Sequence, residues 1–448
     1  MKLRRLKILK FRNVQPGTEL EFNDGYNVLL GQNGSGKTTL LRLITSVLRG
    51  DFVWLEKEAF ALEAELEMAG GKLAIVIDHH GNEREEQQLD ILPSELRSFV
   101  PTNDAWATTF DLQVTTTEGA VWQLRHGEDG STFKRPGLAK ESSLDLKRSP
   151  LKPFLFAVAV WIGSFLDRLA KADRRSTLRQ LNPWIDGFAA MVNTCRVDES
   201  LELFSAITGR RTALGREEYG EVPERFRMIR NESGQVNVIA GIVVPAELRQ
   251  SAVLQNANFD APVDYLSVTH EQAPFLAKVM QMLGYVGAEI KLDLLGKEVT
   301  EQQQTIEYGN LRFFFHGRDG SIVNQDHLSY GQKRLLTFFY YLACNPHVVV
   351  ADELVNGLHH AWIAECIRAM GDRQIFVTSQ NPVLLDHLGF DSAETVRRTF
   401  ITCQAKPEGV RDRITWANMS KKNADAFYRA YKVGAQHVGE ILRTKGFW

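Results

Sequence analysis

Gly31-Gln32-Asn33-Gly34-Ser35-Gly36-Lys37-Thr38-Thr39 follows directly on the apolar run Tyr26-Asn27-Val28-Leu29-Leu30. The run ends in glycines and gives way to Leu40, Leu41, Leu43, Ile44 and Val47 at helical spacing. That order predicts strand, tight loop and helix, and the loop holds every fixed position of G-x4-G-K-[ST]. Glycines let successive backbone N–H groups converge on phosphate oxygens, and the helix start adds the positive end of its dipole. In such a cradle Lys37 reaches the β and γ phosphates and Thr38 can ligate Mg2+. Gly31, Asn33, Gly34, Ser35, Gly36, Lys37, Thr38 and Thr39 are therefore the candidate nucleotide-phosphate-binding residues. A plain glycine-rich turn is the competing reading, and the strand-to-helix context argues against it.

With 448 residues, 44% of them hydrophobic and 24% charged, the chain can bury a large core and should hold two or three structural units. A formal charge of −2 gives no global pull toward nucleic acid or an anionic membrane, so DNA binding would need a local patch or an oligomer. Cys195, Cys344, Cys366 and Cys403 lie far apart without a C-x-x-C pair, which argues against zinc and disulfides and fits a reducing cytoplasm. Met1-Lys2-Leu3-Arg4-Arg5-Leu6-Lys7 lacks the continuous apolar core of a signal peptide. The longest uncharged apolar run, Phe154 to Leu166, falls short of the ~20 residues of a membrane span.

Residues 3–11 have apolar side chains on both faces and suit a strand at a sheet edge, followed by turns at Pro16-Gly17 and Asn23-Asp24-Gly25. Phe60–Glu67 and Lys72–Asp78 alternate around Gly70-Gly71, and Phe110–Thr115 and Ala120–Leu124 form a second candidate pair. From about 125 to 152, Gly, Ser, Pro and Lys134, Arg135, Lys140, Lys147, Arg148 and Lys152 suggest a surface loop, either simply solvated or touching phosphate backbone. Residues 153 to about 295 lean helical, with Trp161, Phe165, Leu166 and Leu169 on one face and an amphipathic run from Gln272 to Leu283. No sustained heptads are present, so no long coiled coil is expected. Strand patterns return near Thr305.

Leu328-Ser329-Tyr330-Gly331-Gln332-Lys333-Arg334 opens an apolar helix. Ser329 suits an N-cap, and the helix start offers a second anion-binding end. Next, His347-Val348-Val349-Val350-Ala351-Asp352-Glu353 reads as a buried parallel strand ending in two carboxylates, at the edge where α/β sheets bind ligands. Asp352 is the candidate Mg2+ holder, with Thr38, and Glu353 the candidate for orienting or deprotonating water. A strand that merely ends in acidic residues is the bland alternative.

The combination resembles the ABC-type ATPases, in particular the soluble branch of chromosome-maintenance (SMC), RecF-like repair and OLD-like phage-defence ATPases. The ordered set is the loop Gly31–Thr39, the signature Leu328–Gln332, the acidic strand Val348–Glu353, then Asn356-Gly357-Leu358-His359 and the switch strand Gln374–Pro382. The match covers about 1–50 and 305–390. The resemblance implies an α/β ABC-ATPase head, a mixed P-loop sheet with antiparallel additions, interrupted by a mainly helical insertion. It also implies that two copies sandwich ATP, with Ser329, Gly331 and Gln332 of one facing the phosphate loop of the other.

Two departures stand out. Tyr330 occupies the usual first glycine of the signature, and Gln380 stands where the family has its switch histidine. A neutral amide can hydrogen-bond the γ phosphate but cannot become cationic, which predicts slow hydrolysis; Gln380 joins Glu353 as a candidate catalytic residue. The spacing of about 290 residues from Thr38 to Ser329 points to a compact defence-type or RecF-type ATPase. Ser420–Trp448 carries apolar residues at helical spacing behind an N-cap, a stripe that is core or a docking surface, and resembles the tail of stand-alone bacterial ATPases of this branch.

The expected organisation is a first ATPase lobe over 1–150, a mainly helical insertion over 151–300, a second lobe over 301–400 and a helical tail over 401–448. The expected activity is that of a cytoplasmic Mg-ATPase, a homodimer or higher oligomer, resembling the regulatory subunits of bacterial anti-phage systems. After residue 390 there is no acidic cluster of the toprim kind, so by analogy a nuclease effector would be a separate polypeptide. A RecF-like clamp on DNA and an ATP-dependent assembly scaffold are the rival expectations.

Overall fold

The computed structural model describes residues 1–81, 108–127, 130–134, 142–144, 196–197, 225–231, 234, 236–240, 244–300, 303–354, 358–378, 382–408, 411–434 and 436–446. The first stretch gives β1 (Lys2–Phe11), β2 (Thr18–Glu21), β3 (Tyr26–Leu30), α1 (Lys37–Arg49), β4 (Phe60–Met68), β5 (Gly71–His79), β6 (Thr108–Thr116), β7 (Val121–Gly127), β8 (Gly130–Lys134) and β9 (Ser142–Leu144). The middle begins with β10 (Arg196–Val197), β11 (Arg225–Asn231), β12 (Val236–Ala240), α2 (Ala246–Arg249), α3 (Ala252–Gln255), β13 (Tyr265–Thr269) and α4 (Pro274–Leu283). It continues through β14 (Gly287–Val299), β15 (Gln303–His316), β16 (Ile322–Asn324), α5 (Tyr330–Cys344), β17 (Val348–Ala351) and α6 (His360–Met370). The chain closes with β18 (Gln374–Thr378), α7 (Pro382–Asp386), α8 (Ala393–Thr399), β19 (Phe400–Glu408), β20 (Arg411–Asn418), α9 (Lys421–Val433) and α10 (Val438–Thr444).

These elements form two units, Met1–Thr194 with Asp372–Trp448, and Cys195–Gly371. In the first unit an antiparallel sheet runs in the order β2-β1-β4-β5-β6-β7-β8-β9. The alternating pairs expected from sequence are present: Phe60 faces His79 in β4–β5, and Phe110 faces His126 in β6–β7. β1 is not an edge strand, because it is hydrogen-bonded to β2 on one side and β4 on the other. Its basic residues find acidic partners on both neighbours: Arg5 meets Glu19 at 2.5 Å and Glu65 at 3.1 Å, and Lys7 meets Glu63 at 3.4 Å. Opposite charges across strands favour this order, and Leu3, Leu6, Ile8 and Phe11 bury the other face.

In the same unit β3 lies between β18 and β19, parallel to both, and β20 pairs antiparallel with β19. Val28, Leu29 and Leu30 of β3 are buried, as a strand covered on both faces requires. The side chain of Asn418 on β20 ties this sheet to β2, accepting from Glu21 N–H and donating to Glu21 C=O, both at 2.8 Å. The fully buried amide of Gln374, at the start of β18, accepts from Leu3 N–H at 2.7 Å and donates to Leu3 C=O at 2.8 Å.

The second unit is built on an antiparallel sheet in the order β12-β11-β15-β14-β13, with β16 beside β15. Phe275 of α4, Phe313 of β15 and Tyr340 of α5 form an edge-to-face cluster with centroids 5.6–6.5 Å apart, which seats both helices on the sheet. In this unit β17 runs parallel to β10.

Three further expectations need correction. The mainly helical 151–300 does not describe its second half, where β11 to β14 are strands; periodicity over Gln272–Leu283 gave α4 correctly but said nothing about its surroundings. The helical leaning of 153–195 and 198–224 lies outside the described residues. The loop expected over 125–152 contains β8, whose Phe133 stacks on Trp122 at 5.8 Å, and β9. The tail expected as helical from 401 opens with the β19–β20 hairpin before α9, whose N-cap is Ser420.

Candidate nucleotide site

In the first unit β3 delivers the chain into the glycine loop and α1 carries it away. Gly31, Gly34 and Gly36 all have positive φ (152°, 82° and 82°), the last as the N-cap of α1 in the left-handed region. A side chain on Gly31 would place its Cβ 2.2 Å from the carbonyl oxygen of Cys403, so only glycine fits there. The N-cap residue Gly36 has no side chain to take up the first-turn N–H groups of α1. Lys37 is buried and its Nζ donates to the carbonyls of Gly31 at 2.8 Å and Gln32 at 3.0 Å, bending the ammonium back over the loop. Ser35 Oγ is buried with no hydrogen-bond partner among the described residues. Asn33 and Thr38 are exposed and Thr39 half-buried.

A glycine loop with a lysine ammonium folded over it, at the start of a 13-residue helix, has the chemistry to receive a polyphosphate. The chemistry of these groups fits ATP, and the Thr38 hydroxyl fits a Mg2+ ligand. The loop is held from outside. Trp416 of β20 donates from Nε1 to Ser35 C=O at 3.3 Å, and an added Cβ on Gly36 would come within 3.2 Å of Trp416 and Ile414. Burial pushes the Cys403 thiol up to about 12, so it stays protonated beside this cradle. Sequence reasoning missed Cys403 and Trp416; the apolar–polar alternation of Ile401, Thr402, Cys403 and Gln404 was the available signal for a strand there.

The second unit carries the other group of candidate residues. Ser329 caps α5 in a capping box: its N–H donates to Gln332 Oε1 at 2.8 Å, and Gln332 N–H donates to Ser329 Oγ at 3.4 Å. The hydroxyl of Ser329 therefore accepts locally and keeps its proton for donation outward. Ser329 and Tyr330 are exposed, and Gly331 is half-buried. β17 is buried throughout and is followed by Asp352, which is 7% exposed, and Glu353, whose φ of 50° is left-handed. Tyr341 Oη pins this strand to α5, accepting from Val350 N–H at 2.8 Å and donating to Val350 C=O at 3.3 Å.

The structure thus gathers residues 31–39 in one unit, and Ser329, Gly331, Gln332, Asp352 and Glu353 in the other. Gln380, Asn356 and Gly357 lie outside the described residues. Tyr341 and Arg334 are further residues that sequence reasoning did not single out for the site; an arginine inside an apolar helix was the signal for the second. Among the described residues no helix is long and apolar enough to cross a membrane.

Among solved structures the chain is similar to the SMC head domain from Thermotoga maritima, at 12% identity over 94% of this chain and 100% of that one, with a TM-score of 0.37. It is similar to SmcHead bound to the C-winged helix domain of ScpA, at 13% identity, 94% and 100% coverage and a TM-score of 0.35. A third is the Smc head domain with an extended coiled coil bound to the C-terminal domain of ScpA, derived from Pyrococcus furiosus, at 11% identity, 96% and 99% coverage and a TM-score of 0.34. No curated protein matches. Residues 26–386 match the family described as AAA domain, putative AbiEii toxin, Type IV TA system, and the chain belongs to that family of P-loop nucleotide-binding ATPases.

Proposed function

We propose that this chain binds Mg-ATP, dimerises around it, hydrolyses it slowly and acts as the sensor or regulatory subunit of a bacterial anti-phage complex, controlling a separate nuclease or toxin effector. Lys37 and the loop amides hold the phosphates, Thr38 and Asp352 hold Mg2+, Glu353 orients the water, and Ser329, Gly331 and Gln332 meet the γ phosphate of a second copy. Held by Thr38 and Asp352, Mg2+ would neutralise charge on the phosphates. The family description, with its toxin–antitoxin system, supports an activity restrained by a partner.

The observation that carries the reading is the buried Lys37 ammonium resting on the Gly31 and Gln32 carbonyls of a glycine cradle. Phosphate oxygens are stronger acceptors for it than those neutral carbonyls. The test is the molar mass and retained nucleotide of Glu353→Gln with Mg-ATP, against Lys37→Ala. The first should hold ATP in a dimer that outlives gel filtration, and the second should bind none. A Glu353→Gln protein that retains no nucleotide with magnesium in excess defeats the reading. Salt-sensitive, ATP-dependent binding of duplex DNA by the protein alone would favour a repair clamp instead.

A further inference from the structure

We infer that Arg334 is a positioning residue that couples the exposed start of α5 to the backbone of Glu353. Tyr330 and Arg334 stand one helical turn apart on the same face of α5, yet Tyr330 is 63% exposed and Arg334 only 1%. The Arg334 guanidinium lies 5.5 Å from the centroid of the Tyr330 ring, and its Nη1 donates to Tyr330 Oη at 3.2 Å. Its other arm, Nη2, donates to the carbonyl oxygen of Leu354 at 3.4 Å. One rigid, planar fork therefore touches an exposed ring at one end and the residue after Glu353 at the other.

The far end is a place where the backbone is strained. A left-handed φ of 50° at a glutamate persists only where neighbouring contacts hold it, and the bond from Arg334 to Leu354 is such a contact. Upstream, Tyr341 fixes Val350 by both its N–H and its C=O, so the strand itself is anchored. Displacing the Tyr330 ring turns the guanidinium and pulls on Leu354, and with Val350 fixed the movement falls on residues 352–354. Whatever docks on the exposed signature face, a second copy with its nucleotide above all, thereby sets the aim of the Glu353 carboxylate. A methionine or leucine would fill the same volume without burying a charge, so packing alone does not account for an arginine here.

The inference rests on the role of Glu353 proposed above, and its test separates the two. Tyr330→Phe keeps the ring and removes the hydroxyl. It should lower kcat about 3- to 10-fold and leave the ATP Kd within about 2-fold, while Arg334→Lys should lower kcat about 10-fold or more. The double variant should be no slower than Arg334→Lys alone, because both changes cut one connection. Amide exchange over 352–354 in nucleotide-free protein should speed up in Tyr330→Phe. Unchanged kcat and exchange in Tyr330→Phe would overturn the coupling, as would multiplied losses in the double variant. Should Arg334→Lys fail to fold, Tyr330→Phe decides alone. Wild-type protein that neither binds nor hydrolyses ATP would overturn the nucleotide reading, and the exchange measurement would still decide the coupling.

Discussion

Trp416 donates from its indole N–H to the carbonyl oxygen of Ser35 at 3.3 Å, joining β20 to the phosphate loop across 381 positions of chain. The same ring closes on Gly36, and the neighbouring strand β19 closes on Gly31 through the Cys403 carbonyl. The curvature of the loop is thus imposed by its glycines from within and by the β19–β20 hairpin from outside. A phosphate receptor binds best when its backbone is held in place before the ligand arrives, and this hairpin braces the loop at Ser35, Gly36 and Gly31.

Trp416→Phe tests that support. It preserves most of the buried ring and removes one N–H donor, a net loss of about 1 kcal/mol. If the bond acts on the bound loop, ATP affinity should weaken about 5-fold. Titration with a fluorescent ATP analogue measures it, with calorimetric unfolding as the control for global damage. Equal affinity in variant and wild type would confine Trp416 to packing.

The glycines give a graded prediction. Gly34 has φ 82° and open space around its would-be side chain, so Gly34→Ala should cost about 1–2 kcal/mol from the left-handed backbone alone. Gly31→Ala must also displace the Cys403 backbone, 2.2 Å from the new Cβ, and should cost at least about 3 kcal/mol. Urea midpoints at one pH compare the two. Equal losses would mean that β19 yields freely and does not shape the loop.

How much of this was legible in the sequence follows the range of the forces. The β3–loop–α1 unit was readable because glycines, a periodicity switch and a helix start are neighbours in the chain. The β4–β5 hairpin was readable for the same reason, from alternation around Gly70-Gly71. The interior place of β1 was not, because it depends on Arg5 meeting Glu19 on one side and Glu65 on the other, choices that no single segment contains. The strands after residue 225 were hidden by the stronger helical period of α4. Trp416 and Cys403 belong to a hairpin inside what read as a helical tail, so their role at the loop appeared only with the fold.

Gln380 tests the expectation of slow turnover. A glutamine can donate to or accept from the γ phosphate region but brings no proton that titrates near neutrality, whereas histidine does. Gln380→His should raise steady-state phosphate release about 10-fold, a modest part of the effect usual for a positioned acid–base group. No gain at saturating Mg-ATP would place the rate limit elsewhere, in dimer opening or product release.

Arg397 and Arg398 of α8 hold the Glu394 carboxyl well below its ordinary 4.5, at about 2, with the Arg397 hydrogen bond as the largest cause. Arg397 also pairs with Glu21 of β2, so one guanidinium joins α8 to the first sheet. The folded pKa lies below the unfolded one, so the stabilisation is fully present above about pH 4.5 and is lost as pH falls toward 2. The carboxylates are largely exposed, and screening reduces the contribution to about 0.5 kcal/mol. Urea midpoints measured from pH 5 downward should fall for wild type and fall less steeply for Glu394→Gln, which has no carboxyl to protonate. At pH 7 the same variant should be slightly the less stable of the two. Identical slopes in variant and wild type would assign the acid sensitivity to other carboxylates, with the ladder between β1, β2 and β4 next in line.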